Sequence, residues 1–348
     1  MSNAHITHIE DLLFEEGTLG TWKCLRILKE IAKGSKPVTV KMDGSPAIII
    51  GKDPLTWRFF VSTKSALNKV PIVCWSHSDI KEKFGHIPEV SHALAAAFDA
   101  YSKHIFKGMF MADVMFIPPS IQKEENGISF RMNTIRYHIE DPNLVSKVKA
   151  STIGLAFHTA FVINDKSEIV PAPYKGELET PSNVFDFDIE VNHLWRNKHF
   201  DFLYDFDKLY SLHNLELPSC LMQHTKYLKQ YSNWCIRNNT VANIVGYLEF
   251  ILSNIKTKHR DELYTKAADQ NILFDNLFNV YKEIQQVKEK LINSLNQQKT
   301  IFTKYTIDIN NMSIATDSEG YVYRGDDIIL KLVNRKEFSR YNFQRERS

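Results

Sequence analysis

The chain has 348 residues, 43% of them hydrophobic and 24% charged, with only 13 glycines and 12 prolines, a composition typical of a globular protein with a buried core. No apolar run approaches the roughly 20 residues that a membrane span requires, and the N-terminus carries acids where a signal peptide has a basic start. We therefore expect an intracellular, cytoplasmic protein with no membrane partner. A net charge of +2 indicates no global preference for nucleic acid.

Cysteine and histidine do not form recognisable sites. The four cysteines are widely scattered and form no C-x-x-C pair, which argues against a disulfide framework and a structural zinc site: Cys24, Cys74, Cys220 and Cys235. The 13 histidines show no ligand spacing. From residue 331 to 348 there are six Lys or Arg against two Glu, which a solvated tail or a phosphate-binding segment would explain equally well.

In chain order, the first half mixes helices and strands. Apolar residues at helical spacing predict helices over 21–34 and 88–106. Runs rich in β-branched and aromatic residues predict strands over 37–50, 58–63, 108–116, 129–139 and 155–163. This pattern indicates an α+β fold with a largely antiparallel sheet.

The second half changes character after a proline-punctuated passage at 171–181. Residues 186–300 contain helical stretches, the clearest being an apolar seam from Leu273 to Leu295 at alternating steps of four and three, which is typical of core packing. Strand patterns return at "YTIDI" and "EGYVYRGDDIILKLV". We therefore predict one domain formed by 1–185 and 301–348, with a helical domain inserted at 186–300.

A lysine stands at the end of an apolar strand in "TVKMDGSPAIII", residues 39–50. Lys41 and Asp43 could form an ordinary hairpin edge, because lysine is common on edge strands and Asp-Gly is a common turn pair. Lys41 could instead be a nucleophile, since a lysine amine that is partly unprotonated can attack a phosphate. The two interpretations stay open on this segment alone.

Three further segments place charge on a strand or its turn: "STKS" at 62–65, "EGYVYR" at 319–324 and "ILKLV" at 329–333. Together with "KMDGS", their order resembles that of the covalent nucleotidyltransferases, the superfamily of ATP-dependent DNA ligases, RNA ligases and mRNA capping enzymes. The K-x-D-G-S form, the Lys-Ser after the next strand and the "EGYV" form are most similar to phage RNA ligases of the tRNA-repair type. The resemblance covers residues 38–165 and 315–335.

The resemblance implies an ATP-grasp-like ligase adenylylation domain, with ATP and Mg²⁺ (or Mn²⁺) as cofactors and with two catalytic lysines. Lys41 would attack ATP and form a lysyl-AMP, and Lys331 would neutralise the α-phosphate. The remaining nucleotide-binding residues implied by the motifs are Asp43, Gly44, Lys64, Asp113, Phe157 and Glu319. Among these, Glu319 would hold the metal ion, Lys64 would contact phosphates and Phe157 would stack on adenine.

Several of these roles have a plain structural alternative. Glu319 could be a surface acid at a strand end, and Phe157 could be an ordinary core residue. Asp113 stands where the family usually has Glu, so its contact with ribose or metal is open. Position 46 is proline where many DNA ligases and capping enzymes have arginine. Since only 15 residues follow Val333, we expect no C-terminal OB-fold, and in the resembled RNA ligases the helical domain follows the last motif.

The leading functional prediction is an ATP-dependent RNA ligase that joins 5′-phosphate and 3′-hydroxyl ends of nucleic acid. Alternatives are a minimal DNA nick-sealing ligase and a catalytically inactive nucleotide or nucleic-acid binding module of the same fold. A separate kinase or phosphatase that prepares the ends would be a further partner. The basic C-terminal segment and the aromatic-rich insertion favour single-stranded RNA ends over duplex DNA.

Overall fold

The computed structural model describes residues 7–53, 56–165, 168–191, 216–256, 259–298, 300–309, 312–325 and 328–335. Its helices are α1 (Leu12–Ala32), α2 (His77–Phe84), α3 (Pro88–Tyr101), α4 (Pro142–Ala150), α5 (Leu221–Arg237), α6 (Ile244–Asn254), α7 (Arg260–Asp269) and α8 (Asn271–Asn296). No helix in these ranges is long and apolar enough to span a bilayer.

Three five- or six-stranded sheets carry the strands. Sheet A contains, in spatial order, β1 (Thr7–His8), β16 (Ile329–Leu332), β15 (Tyr321–Arg324), β2 (Val38–Val40) and β12 (Glu190–Val191). The pair β1 and β16 is parallel, and the other pairs in sheet A are antiparallel.

Sheet B orders β10 (Ile169–Pro173), β9 (Ile153–Ile163), β5 (Met109–Phe116), β3 (Ala47–Lys52) and β4 (Phe59–Thr63), with β11 (Val184–Asp186) beside β9. Sheet C orders β14 (Met312–Thr316), β13 (Lys304–Ile309), β8 (Ile135–Ile139), β7 (Gly127–Phe130) and β6 (Ile121–Glu124). All pairs are antiparallel except β11 with β9.

The α+β class with antiparallel sheets is confirmed, but two predicted strands are each divided. The segment 37–50 forms β2 and β3, which belong to different sheets, and 129–139 forms the end of β7 and all of β8. In both places a polar turn interrupts an otherwise apolar pattern: 41–46 in the first and 131–134 in the second. The two turns contact each other, as described below, which is why neither strand runs straight through.

The helical part of the chain packs on α1. Phe14 stacks on Tyr281 of α8 with ring centroids 4.7 Å apart, and Thr225 of α5 donates a hydrogen bond to the Phe14 carbonyl oxygen at 2.7 Å. One continuous hydrophobic core joins α1, α5, α6 and α8 to sheets A and C. The described helices of the predicted insertion therefore share a core with the sheets. The proposed boundaries at 186 and 300 stay a prediction.

A second core lies between sheet B and α3. It contains the small buried residues Ala93, Ala97 and Ala100 of α3 and the buried strand residues Ile48 and Ile50 of β3. Alanines on this helix face allow it to approach the sheet closely. The opposite face of sheet B is covered less completely, and that face carries the candidate site.

A buried network of charges links the N-terminal segment to α8 and to the segment after β16. Lys288 Nζ donates to Glu10 Oε1 at 2.6 Å, with 2% and 0% of the two side chains exposed. Arg335 contacts Glu10 at 3.3 Å and Asp11 at 2.9 Å, and it donates to Asn233 Oδ1 at 2.5 Å. Because unpaired buried charges are strongly unfavourable, these contacts fix β1 and the end of β16 relative to the helices.

We predict that Lys288→Met destabilises the protein, because the Glu10 carboxylate loses its main partner inside the core. Removing one member of a buried ion pair costs about 3–5 kcal/mol of unfolding free energy. The measurement is chemical denaturation, with Lys282→Met as control, since Lys282 lies on the same helix and is exposed. The double variant Glu10→Gln/Lys288→Met should lose less than the sum of the single losses. Equal stability of Lys288→Met and the control would contradict this account.

Candidate active site

The turn at residues 41–46 lies where the three sheets meet. It follows β2 of sheet A and precedes β3 of sheet B. The Lys41 amide donates to the Gly320 carbonyl oxygen at 2.8 Å, next to β15. On the other side, Ser45 N donates to Val114 O at 2.9 Å, on β5. The backbone of the turn is therefore held by both sheets.

Asp43 attaches this turn to sheet C. Its Oδ1 accepts a hydrogen bond from Asn133 Nδ2 at 2.7 Å, and its Oδ2 accepts from the amides of Thr134 and Ile135 at 2.8 and 3.1 Å. The Asp43 amide in turn donates to the hydroxyl of the buried Tyr137 at 2.7 Å. Both carboxylate oxygens are occupied, so in this structure Asp43 organises the turn. Direct contact of Asp43 with a nucleotide stays a prediction.

Gly44 is required at its position by close packing. A Cβ atom there would lie 2.6 Å from the Val114 carbonyl oxygen and 2.9 Å from Asp113 Cβ. Because the first of these neighbours is backbone, it could not move aside without displacing β5. The Asp-Gly pair is thus explained by two needs: the Asp43 carboxylate anchors the turn to sheet C, and Gly44 leaves room for the backbone of β5.

Lys41 forms an ion pair with Glu319, which directly precedes the Gly320 that accepts the Lys41 amide. Only 25% of the Lys41 side chain and 13% of the Glu319 side chain are exposed. The Lys41 ammonium contacts Glu319 Oε2, and a side-chain hydrogen bond adds to the charge attraction. The mostly buried carboxylate is therefore held by its pairing with Lys41.

The two partners influence each other's protonation. Burial alone would lower the pKa of Lys41, but the attraction and hydrogen bond of Glu319, together with the negative charges of Asp43 and Asp113, outweigh it, and the pKa of Lys41 is raised. Burial raises the pKa of Glu319, and Lys41 opposes that rise. The lysine is consequently an ammonium in this state. A chemical role as nucleophile would require that the ammonium lose a proton, which a weaker attraction to Glu319 would favour.

Lys331 lies on the same face of sheet A as Lys41. On β16 it is opposite Val322 of β15, which is opposite Thr39 of β2, and Lys41 follows Thr39 by two residues. Directly opposite residues share a face, as do alternate residues along a strand. Burial and then the charge of Lys41 lower the pKa of Lys331. The structure therefore brings these two predicted catalytic lysines together, 290 positions apart in sequence.

Asp113 approaches from sheet B. It is opposite Ala47, the first residue of β3 after the turn, and its negative charge contributes to the raised pKa of Lys41. His158 Nε2 lies 3.7 Å from Asp113 Oδ1. The short aspartate at this position therefore has a histidine beside it. The sequence analysis set the histidines aside because they show no ligand spacing, and the bulge between β5 and β9 that places His158 beside Asp113 leaves no mark in the sequence.

Lys64 and Phe157 have less direct positions. Lys64 is exposed and follows Thr63, which is opposite Ile48 beside the turn, so its phosphate contact stays a prediction. Phe157 is only 3% exposed and packs on Tyr101 and Tyr174, with centroids 6.2 and 5.1 Å apart. It is opposite Ala112, on the face of β5 away from Asp113. The structure does not bring the Phe157 ring to the site.

Arg324 is a site residue that the sequence analysis passed over. It is two residues from Val322 on β15, and its guanidinium donates to Asp188 Oδ1 at 2.8 Å and to the Phe157 carbonyl oxygen at 3.1 Å. Arg324 belongs to sheet A and Phe157 to sheet B, so this hydrogen bond links the two sheets. The final Arg of "EGYVYR" was the available sequence signal.

The donor set around Lys41 fits a magnesium ion held mainly by phosphate and water. Mg²⁺ in nucleotide sites is commonly bound through one or two carboxylates. Glu319 supplies one such carboxylate, which pairs with Lys41 in this structure, and the negative charge of Asp113 acts on the same lysine. Among the described residues no three His, Cys, Asp or Glu side chains form a metal cage. Glu319 is thus suited to a nucleotide-borne cation rather than to a metal held by protein alone.

We predict that Glu319→Gln lowers the pKa of Lys41, because the strongest attraction is removed while burial still disfavours the ammonium. The pH dependence of Lys41 acetylation by a small acylating reagent, followed by mass spectrometry, measures this change. Labelling at a given pH below the wild-type pKa should therefore be faster in the variant. Glu190→Gln is the control, because Glu190 is an exposed acid on the same sheet. An unchanged or higher pKa in Glu319→Gln would contradict the assigned cause.

Comparison with known proteins identifies a family without an assigned activity. A model described as a family of unknown function (DUF6267) matches residues 3–347, and the chain belongs to that family. No curated protein and no solved structure matches the chain.

Proposed function

We propose that this DUF6267 protein is an ATP-dependent RNA ligase that works through a lysyl-AMP at Lys41. The observation that carries the proposal is the convergence of Lys41, Glu319 and Lys331 on one end of a sheet, with Asp113 facing them from the next sheet. These residues come from four separate motifs. A structural role for the turn alone would not require two lysines and two acids at this place.

The first step is attack of the Lys41 Nζ lone pair on the α-phosphorus of ATP. A nitrogen–phosphorus bond forms, the bond from the α-phosphorus to the β-bridging oxygen breaks, and pyrophosphate leaves with the electron pair. Lys41 gives up one proton before attack and another on forming the phosphoramidate. Negative charge develops on the non-bridging and leaving oxygens, so positive charge nearby is the main catalytic requirement.

Lys331 supplies that charge from a fixed strand position. It is flanked by the buried Leu330 and Leu332, so its backbone is held by the core while its amine faces the site. A preorganised cation of this kind stabilises a transition state without reorganisation during the reaction. Glu319 would hold Mg²⁺, which would supply further charge neutralisation to the phosphate oxygens.

Release of Lys41 from Glu319 would couple nucleotide binding to activation. In the free protein Glu319 raises the pKa of Lys41, so the amine is protonated and unreactive. When another cation neutralises the Glu319 carboxylate, only the smaller attractions of Asp43 and Asp113 still oppose burial and the positive charge of Lys331, so the pKa of Lys41 falls. The nucleophile therefore becomes available only with its substrate.

The later steps use the same centre. An oxygen of the RNA 5′-phosphate attacks the α-phosphorus of lysyl-AMP, which frees Lys41 and forms a 5′-adenylylated end. The RNA 3′-hydroxyl then attacks the 5′-phosphate, forms the phosphodiester bond and releases AMP. The site must therefore hold phosphates from two different molecules in succession.

Two observations favour RNA as the substrate. The motifs are most similar to RNA ligases, with Pro46 where many DNA ligases have arginine. Beyond Asp113, on the same face of sheet B, Trp75 packs on Phe60 at 5.6 Å between centroids, and the Arg58 guanidinium lies 4.9 Å from the Trp75 ring centre. Aromatic rings and guanidinium groups of this kind stack with unpaired bases. The basic segment 336–348 and the aromatic residues at 192–215 lie outside the described residues.

We predict that incubation with α-labelled ATP and Mg²⁺ leaves label on the protein through an acid-labile, base-stable bond. Lys41→Ala should abolish labelling, and Lys331→Ala should reduce its rate by about 10²- to 10³-fold, the usual loss for one preorganised charge contact. Lys36→Ala is the control, because Lys36 is exposed just before β2. Labelling is followed by gel autoradiography and by mass spectrometry of the Lys41 peptide.

An unlabelled wild-type protein across several divalent metals would favour the second candidate, a nucleotide-binding module without turnover. The raised pKa of Lys41 is the observation in its favour, since a permanent ammonium binds phosphate but does not attack it. Calorimetric ATP binding without covalent labelling would distinguish that module from a protein that has no interaction with nucleotides.

We predict that the protein joins a 5′-phosphate and a 3′-hydroxyl in single-stranded RNA or in a broken RNA loop faster than it seals a nick in duplex DNA. Binding should weaken as salt rises, because counterions are released by phosphate contacts. Product formation on matched RNA and DNA substrates measures the preference. Efficient DNA nick sealing without RNA joining would replace the RNA ligase with a DNA ligase and leave the role of Lys41 unchanged.

A further inference from the structure

A histidine outside every motif lies at the edge of the lysine-bearing face. His8 of β1 is directly opposite Lys331 of β16 in the parallel pair at the end of sheet A. Its neighbour Thr7 is opposite Leu330, a core residue, and donates a hydrogen bond to Glu15 of α1 at 3.5 Å. Since successive residues on a strand point to opposite faces, Thr7 faces the helices and His8 faces the side that carries Lys331 and Lys41.

The imidazole of His8 has an unfulfilled hydrogen-bonding atom. Nδ1 is buried and has no hydrogen-bond partner among the described residues. A buried polar atom without a partner costs free energy, and most such atoms in proteins are satisfied by a neighbour, water or a ligand. This atom is therefore a place where a ligand can contribute a contact that the protein does not supply.

The residues around His8 determine its protonation state and the kind of ligand that it can bind. Burial and the charges of Arg335, Lys331, Lys288 and Lys41 lower the pKa of His8 far below its usual value, so the ring is neutral. A neutral ring among four cations adds a directed hydrogen bond without adding charge repulsion. Arg335, Lys288 and Lys41 each contact an acid, whereas Lys331, directly opposite His8, forms no ion pair among the described residues and favours an anion as ligand. A phosphate oxygen can only accept, so Nδ1 must carry the proton in the bound state.

We propose that His8 is a phosphate-binding residue of the candidate active site, where its Nδ1–H donates to a phosphate oxygen held beside Lys331. This inference rests on the proposed function, because it concerns the phosphates that the same lysines bind. His8 lies beyond Lys331 as seen from Lys41, so it reaches phosphates other than the one that Lys41 attacks. Those are the β- and γ-phosphates of ATP or the 5′-phosphate of the RNA end, which share the same chemistry.

The buried charge network gives His8 its fixed position. Glu10 and Asp11 follow His8 by two and three residues and are held by Lys288 and Arg335, and Arg335 follows Lys331 by four residues. The two adjacent strands are thereby held at the ends that carry His8 and Lys331. A ring positioned in this way is suited to directed recognition, because little conformational entropy is lost on binding.

The test compares two replacements of His8. Asn places an amide N–H close to the position of Nδ1, whereas Leu fills similar space without a donor. We expect His8→Leu to weaken phosphate binding by about 10- to 100-fold, the usual loss for a hydrogen bond to a charged group, and His8→Asn to retain most of it. His92→Leu is the control, because His92 is exposed on α3. Thermal unfolding establishes that each variant folds.

Calorimetry with two probes distinguishes the source of the phosphate. Tripolyphosphate without metal represents the ATP phosphates, and paired RNA oligonucleotides with a 5′-phosphate or a 5′-hydroxyl represent the RNA end. Loss of tripolyphosphate affinity in His8→Leu assigns His8 to the ATP phosphates. Loss of the preference for the 5′-phosphorylated oligonucleotide assigns it to the RNA end.

The inference is overturned if His8→Leu binds both probes as the wild type does, or if His8→Asn is as weak as His8→Leu. It is also overturned if both variants fail to fold while His8→Gln, which lacks a donor near the Nδ1 position, folds and binds normally. Failure of the proposed function looks different, since His8-dependent binding of tripolyphosphate without any label on Lys41 would refute the ligase and retain the phosphate site.

Discussion

The hydrogen bonds of Asp43 determine how the three sheets of this protein meet. One carboxylate accepts from a side-chain amide and two backbone amides at the start of β8, while the backbone on either side of it is held by sheets A and B. Hydrogen bonds to a charged acceptor are stronger than neutral ones, and a buried acceptor left without them is costly. The six-residue turn is therefore a junction, and Lys41 takes its position from it.

The ion pair of Lys41 and Glu319 is the second consequence of that junction. The Lys41 amide donates a hydrogen bond to the Gly320 carbonyl oxygen. Because Glu319 directly precedes Gly320, this backbone pairing brings the side chains of Lys41 and Glu319 together. The backbone already holds the two side chains close to each other, so little further conformational entropy is lost when the ion pair forms. The same pairing makes the acid a local regulator of the lysine, since it raises the pKa of Lys41 against the effect of burial.

Local patterns in the sequence were sufficient for the elements whose signals are local. The strands 108–116 and 155–163 and the apolar seam of 273–295 correspond closely to β5, β9 and α8. The division of 37–50 between two sheets was not predictable, because the hydrophobic pattern of β2 and β3 is the same whether they pair with each other or not. What separates them is the contact of Asp43 with residues 90 positions away, and no short-range pattern encodes such a contact.

Short-range sequence patterns were limited in the same way for the candidate active site. Charges on strands indicated Lys41, Glu319 and Lys331, because charge in an apolar strand is costly and needs a reason. Phe157 carried no such mark, since an aromatic residue in an apolar strand is compatible with either face, and its ring lies in the core with Tyr101 and Tyr174. His8 and Arg324 depend on strand pairing across the chain, so sequence reasoning did not single them out.

The arrangement of charge also constrains the order of events at the site. A resting lysine that Glu319 holds as an ammonium reacts slowly with electrophiles, including one that enters without a metal ion, because little of the amine is unprotonated. In the proposed function, a substrate that brings its own divalent cation would compete for Glu319 and would at the same time present phosphates to Lys331. Binding of the cation and release of the amine would then be one event. In the proposed function, a metal ion that replaces the Lys41 ammonium at Glu319 would leave the carboxylate paired with a cation, which is required because an unpaired charge is costly where the side chain is mostly buried. Glu319 would thus control both the protonation of Lys41 and the binding of the cation.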